Sequence, residues 1–145
     1  MTEETIQIQY LDDTIPHLEY IGGKSDWIDL HAAETVHLQK GEFRLIHLGV
    51  AMKLPKGFEA HIAPRSSTFK NWKILQTNSV GVVDSSYCGK NDWWKYPVYA
   101  TEDVTIEKGS RIAQFRIVEN QPKIHFVEAP LEGENRGGFG STGTK

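Results

Sequence analysis

Tyr96–Val118 reads YPVYATEDVTIEKGSRIAQFRIV. It holds three short runs rich in β-branched and aromatic residues, Tyr96–Ala100, Val104–Ile106 and Arg111–Val118, with the turn signal Lys108-Gly109-Ser110 before the last. Strands this closely spaced leave no room for a helix between them. The same pattern extends toward both ends. Glu42–Leu48, Glu59–Ala63 and Val80–Val83 are further runs, and turn residues recur at Gly22-Gly23, Lys40-Gly41, Pro55-Lys56-Gly57 and Cys88–Asp92. Apolar and polar residues alternate in Thr5–Tyr10 (TIQIQY), where Ile6 and Ile8 share a face, and in Lys123–Val127 (KIHFV), so both are predicted strands. No segment keeps helical periodicity over three turns, and one short helix is predicted over Ser66–Trp72, after Pro64-Arg65. Many short strands with Gly/Pro turns make this an all-β chain of the sandwich, barrel or jelly-roll kind. No repeat or internal linker interrupts it.

At 145 residues, 39% of them hydrophobic, the chain suits one domain around one core. No apolar run approaches the ~20 residues of a membrane helix. The opening MTEETIQIQY has neither the basic nor the apolar region of a signal peptide. The single Cys88 excludes an internal disulfide framework and a cysteine-rich zinc site, and suits a reducing, cytoplasmic setting. Sixteen Lys and Arg against nineteen Asp and Glu give a net charge of -3, which argues against nucleic acid or an anionic membrane as partner. Anion binding then needs a local site. The end of the chain differs from the rest: LEGENRGGFGSTGTK carries five of the thirteen glycines, and one aromatic, Phe139. Residues 1–131 therefore read as the folded domain, and 132–145 as a flexible Gly-rich arm with too little apolar surface to order itself.

Several familiar motifs fail. In GFGSTGTK the lysine comes one residue late for a phosphate-binding loop, and no helix can follow it. The six histidines form no HExxH and no carboxylate-histidine cluster, and Gly-x-Ser-x-Gly is absent. Two other segments say more. In Ala63-Pro64-Arg65-Ser66-Ser67-Thr68 a strand ends, and a cation and hydroxyls meet the start of the predicted helix. That suits either an anion site or a plain serine cap with a structural ion pair. In Asn78–Gly89 an apolar strand runs into Asp84, then Tyr87, then a glycine turn. Asp84 could polarise a water, Tyr87 could offer a flat face to a sugar or base, and Asn78 carries paired donor and acceptor atoms. A turn-initiating Asp beside a core Tyr is the plainer alternative.

Five segments, in order, resemble the five motifs of the trimeric dUTPases (deoxyuridine triphosphate nucleotidohydrolases). They are Trp27-Ile28-Asp29-Leu30-His31-Ala32-Ala33-Glu34; Pro64-Arg65-Ser66-Ser67; Gly81-Val82-Val83-Asp84-Ser85-Ser86-Tyr87-Cys88-Gly89; Gly109-Ser110-Arg111-Ile112-Ala113-Gln114; and Arg136-Gly137-Gly138-Phe139-Gly140-Ser141-Thr142-Gly143. Any one would be weak; five in order are specific. The short last motif and Asn91-Asp92-Trp93-Trp94 are most similar to enzymes of Gram-positive bacteria and their phages.

The resemblance implies a jelly-roll-like β-barrel subunit in a homotrimer with sites shared between chains. It also implies Mg²⁺-assisted attack of water on the α-phosphorus of dUTP, giving dUMP and pyrophosphate, which limits uracil in DNA and supplies dUMP. By position, Asp84 would be the catalytic base. Tyr87 would lie under the deoxyribose, and Asn78 would read the uracil edge. Ser66, with Ser67 beside it, would hold the α-phosphate region; Arg65 and Gln114 would support the phosphates and metal-bound waters. In the arm, Arg136 would reach the γ-phosphate, Phe139 would stack on uracil, and Ser141 and Thr142 would bind phosphate oxygens. The metal would be held by phosphates and waters near Gln114, with no direct protein ligand. Asp29 reads as structural. Ser86, Cys88 and Ser110 depart from residues common in the family, and Trp93 or Trp94 is an alternative lid over the base. Two other functions stay open: a regulatory role toward a protein partner, if the chain derives from a phage, and a dCTP deaminase of the same fold. The deaminase would need a glutamate on the strand after the third motif, and Trp93–Thr101 contains no acid.

Overall fold

Residues 3–145 are described in the computed structural model. The eleven strands are β1 (Gln7–Tyr10), β2 (Ile28–His31), β3 (Val36–Leu38), β4 (Phe43–His47), β5 (Val50–Lys53), β6 (Phe58–Pro64), β7 (Ile74–Gln76), β8 (Gly81–Val83), β9 (Lys95–Ala100), β10 (Val104–Ile106) and β11 (Arg111–Glu119). The one helix, α1 (Thr68–Trp72), lies between β6 and β7. The strands form small antiparallel sheets in the orders β2-β11-β6-β8, β4-β9-β7, β1-β5 and β3-β10. They wrap one core in jelly-roll fashion, without a continuous closed ladder.

The core follows from the sequence runs. Leu30, Ile46, Tyr96, Val98, Ile106, Ile112 and Phe115 are buried, and Trp94 sets its edge on the Phe115 ring at 5.2 Å. Each such aliphatic contributes about 1.5–3 kcal/mol by leaving water. β11 is the spine, pairing with β2 on one side and β6 on the other. An irregularity between Arg111 and Ala113 shifts its register against β2, so that Gln114 faces Asp29 there and Ala63 in β6. A bulge of this kind re-aims side chains at a sheet end.

Pro64 closes β6, and the turn into α1 is tied down by Thr68. The buried Thr68 hydroxyl accepts the Arg65 N–H at 2.8 Å and donates to the Ile112 carbonyl at 3.0 Å. The helix stops at Lys73, which takes the left-handed conformation (φ 55°) and donates its N–H to Phe69.

One predicted strand is absent. Lys123–Val127 pairs with no strand among the described residues, and Ile124, Phe126 and Val127 are exposed. Alternation marks a segment that can pair, yet the period alone does not place it beside a partner strand. Residues 132–145 are exposed throughout, with only local turns, Ser141 N–H to Gly138 and Gly143 N–H to Gly140. No helix among the described residues is long and apolar enough to cross a membrane.

Candidate functional site

The motif residues fall into two concavities that share no lining residue. The first, about 430 Å³, lies between β8, the loop that follows it and the start of β9. Its walls are Leu45, Ile62, Val82, Val83, Trp93 and Trp94, and its polar groups include Asn78, Asp84, Tyr87 and Lys95. β8 carries the chain into Asp84, whose carbonyl accepts the Tyr87 N–H at 3.0 Å; this turn presents the acid to solvent beside the apolar wall. The Tyr87 hydroxyl donates to the Trp93 carbonyl at 2.9 Å and so braces the loop. Burial, reinforced by Asp92, raises the Tyr87 pKa and keeps the phenol protonated. Gly89 lets Asp92 come close: Asp92 Oδ2 accepts the Gly89 N–H at 2.8 Å, and a Cβ on Gly89 would make that carboxylate shift.

The second concavity, about 600 Å³, sits where β2, β6 and β11 end together. Lys24, Asp26, Asp29, Arg65, Ser66, Arg111 and Gln114 line it. Its centre is the nearly buried Asp29. One carboxylate oxygen meets Arg65 Nε at 3.1 Å and the other meets Arg111 Nη1 at 3.4 Å. A second Arg65 nitrogen donates to the Arg111 carbonyl at 3.1 Å. Arg65 is thus half of a structural ion pair, one of the two readings its sequence context offered. Ser66 is exposed, and Ser67 makes no capping bond, so both hydroxyls stand free of the helix. Gln114 donates Nε2 to the Pro64 carbonyl at 3.0 Å, which leaves its Oε1 as an acceptor.

The structure does not bring these two halves together, and it brings the arm to neither. Arg136, Phe139, Ser141 and Thr142 are exposed; Arg136 donates only to the neighbouring Gly137 carbonyl, and the Phe139 ring lies entirely in solvent with φ 53°. The two tryptophans separate in role. Trp94 is core, whereas Trp93 is half-buried on the first cavity, its ring 5.5 Å from that of His47. Among the described residues no three His, Cys, Asp or Glu side chains converge as a metal site.

A residue behind the first cavity, touching Asn78, lies outside every sequence motif. Gln76, at the end of β7, donates Nε2 to both the Ile62 carbonyl and Asn78 Oδ1, each at 3.0 Å. A lone glutamine in a three-residue strand gives no periodic or spacing signal; only the folded arrangement reveals it.

Comparison with known proteins identifies the family and the fold. A family model described as dUTPase matches residues 24–143. The chain is 53% identical over 141 residues to the SPbeta prophage-derived deoxyuridine 5'-triphosphate nucleotidohydrolase of Bacillus subtilis (strain 168), covering 97% of this chain and 99% of that one. It is 36% identical over 149 residues to the deoxyuridine 5'-triphosphate nucleotidohydrolase of Rickettsia prowazekii (strain Madrid E), covering 99% of each. Its fold is similar to a Staphylococcus bacteriophage 80alpha dUTPase solved with dUpNHpp, at a TM-score of 0.80 and 24% identity, covering 97% of this chain and 99% of that one. A dUTPase of phage phi11 of S. aureus, with a structural Mg(II) ion, superposes at a TM-score of 0.74 and 21% identity, covering 86% of this chain and 97% of that one.

Proposed function

The chain belongs to the dUTPase family, and from that premise we propose that it cleaves dUTP to dUMP and pyrophosphate, with Asp84 taking a proton from the attacking water. The observation that carries this reading is the division of the site. One concavity has the apolar walls and fixed polar atoms that a nucleobase and sugar need, with a carboxylate at its rim. The other has the cations, hydroxyls and amide that a phosphate chain needs.

The chemistry is an in-line displacement. Asp84 accepts the proton as the water oxygen bonds to the α-phosphorus, and the bond from that phosphorus to the bridging oxygen of pyrophosphate breaks. Ser66, Ser67 and Arg65 orient the phosphate chain, and Asp29 holds Arg65 in place while it does so. Tyr87 supports the sugar, Asn78 meets the base, and Trp93 offers an apolar face at the cavity rim. A Mg²⁺ ion held by the phosphates would neutralise charge that develops on their oxygens. The cup fits such an ion through water: Gln114 Oε1 is available as an acceptor, whereas Asp29 is engaged by two guanidiniums.

Asp84 and the phosphate cup line separate concavities, and a homotrimer in which one chain's Asp84 meets another chain's cup is the assembly we propose. Two features support it. Phe43, Tyr99 and Leu75 line up across β4, β9 and β7 and are all exposed, forming an apolar face without a partner. The unpaired 120–131 segment carries Ile124, Phe126, Val127 and Leu131 into solvent, where a neighbouring chain would cover them. The 132–145 arm would then close over a bound triphosphate, Arg136, Ser141 and Thr142 on its oxygens and Phe139 on the base. The exposed Cys88 thiol accords with a reducing, cytoplasmic setting. A deaminase reading finds no acid on β9.

Purified protein with dUTP and Mg²⁺ should release pyrophosphate, and Asp84→Asn should lower turnover about 10²–10⁴-fold with nucleotide affinity kept. Intact dUTP after incubation would end the reading; unchanged turnover in the variant would remove Asp84 as the base.

A further inference from the structure

We propose that Gln76 is the positioning residue that decides which end of the Asn78 amide meets the base, and thereby sets the preference for uracil over cytosine. The inference rests on the reading of Asn78 as the residue that meets the base. The geometry fixes both amides by one unambiguous contact. A backbone carbonyl can only accept, so the Gln76 atom 3.0 Å from the Ile62 oxygen is its nitrogen. That same Nε2 lies 3.0 Å from the Asn78 side chain, and the Asn78 atom it meets is therefore the oxygen. Both N–H bonds of Gln76 are then spent.

The cost of this arrangement is visible: Gln76 Oε1 is buried without a partner. Turning the amide over would set that oxygen against the Ile62 carbonyl and orphan the nitrogen instead, which is worse. The orientation is therefore locked from the β6 backbone outward. That contact turns the Asn78 oxygen toward Gln76, and Nδ2, on the other side of the amide, is the donor Asn78 can present to the base. Gly81, a wall of the same cavity, packs closely on β6: a Cβ there would sit 3.1 Å from the Ile62 Cβ and in ordinary contact, 3.7 Å, with Asn78 Nδ2.

A fixed donor reads one difference between the two pyrimidines. Uracil carries a carbonyl acceptor at C4, and cytosine carries an amino donor there. Nδ2 pairs with the first and confronts the second donor to donor, leaving polar groups unsatisfied in a desolvated pocket. Because the direction of Asn78 is imposed by Gln76, the selectivity belongs to the pair.

Gln76→Glu keeps the side-chain shape but offers at most one proton to two acceptors. Asn78 then turns to donate inward and shows its oxygen to the base. The ratio of kcat/KM for dUTP over dCTP should fall at least about tenfold. The change should come through a higher KM for dUTP, with kcat at saturation largely kept. Gln76→Met removes both donors without reversing them, so its ratio should fall in the same direction by a smaller factor, and it serves if the glutamate variant does not fold. An unchanged ratio in folded variants, or equal losses on both substrates, overturns the assignment. Wild-type protein inert toward dUTP would instead bring down the functional reading beneath it, and the two failures are told apart in the same assay.

Discussion

The two concavities solve the problem of holding a ligand by different physics. The cavity around Asp84 is defined by shape: apolar walls, a loop braced by Tyr87 and Trp93, and amides held in one orientation by Gln76. It contains one carboxylate and one cation, Asp84 and Lys95. The cup around Arg65 is defined by charge, with Lys24, Arg65 and Arg111 set against Asp26 and Asp29. Hydrogen-bonded apolar pockets discriminate between similar neutral groups, and clustered cations neutralise and orient anions. A nucleoside triphosphate presents both kinds of surface. The difference between the halves is therefore a division of labour, and each half should fail in its own way.

The largest test is whether the halves work across chains. Asp84→Asn damages only the first, and Ser66→Ala with Gln114→Ala damages only the second. Each protein alone should be nearly inactive. Co-assembled at equal amounts, random mixing in a symmetric oligomer with two-chain sites should restore about a quarter of wild-type activity. No recovery in a verified mixed oligomer would mean that one chain supplies both halves.

Removal of Arg136–Lys145 should cost about 100-fold in kcat/KM while leaving the melting temperature unchanged. The segment lines neither cavity and its hydrogen bonds are local, so it contributes to closure and not to the fold. Full activity in the shortened protein would make it a mere terminus.

Asp29→Asn should separate the halves more finely. The Arg65 guanidinium loses the charge that anchors it, and the partly exposed arginines relax toward solvent. KM for dUTP should rise about tenfold, and unfolding free energy should fall by about 2–3 kcal/mol, below the usual cost of breaking a fully buried pair. Binding of deoxyuridine alone, which engages the first cavity, should be unaffected. If deoxyuridine binding weakens equally, the halves are coupled and the division is overstated.

What the sequence made legible follows the same line. Alternating or β-branched strands such as β4, β6, β9 and β11 were readable, as was the helix after Pro64, because their signal is local. β5 was not: Val50, Ala51 and Met52 are all buried, so its two faces do not differ and no alternation marks it. β3 (Val-His-Leu) and β7 (Ile-Leu-Gln) are as short as β8 and β10 but carry one β-branched residue each where those carry two or more, so composition does not mark them either. Lys123–Val127 alternates yet pairs with no strand among the described residues, because pattern reports what a segment can do and not which strand lies beside it. The motif residues of the candidate site could be named from their order along the chain. That Asp29 grips Arg65 and Arg111, or that Gln76 turns Asn78, depends on register and on contacts between distant strands.

The smallest effect concerns how the first cavity is held, and it is set by pH. His47 Nδ1 accepts the Gly49 N–H at 2.8 Å, an interaction only a ring with a free lone pair on that nitrogen can make, and the ring packs on Trp93. Burial, then the nearby Lys95, lowers the His47 pKa below its ordinary 6.5. The folded protein therefore keeps this ring neutral where the unfolded chain would protonate it. That contribution is complete above pH 6.5 and drains away as pH falls through the lowered folded pKa. His47→Asn supplies an oxygen to accept the same N–H and does not titrate. Between pH 7 and pH 5 the wild-type melting temperature should drop by roughly 2 °C more than that of the variant, a modest figure because solvent screens a half-exposed ring. The half-buried His31, whose pKa burial also lowers, is present in both proteins and cancels in the comparison. Parallel pH profiles would show that His47 holds the Gly49 turn without sensing protons.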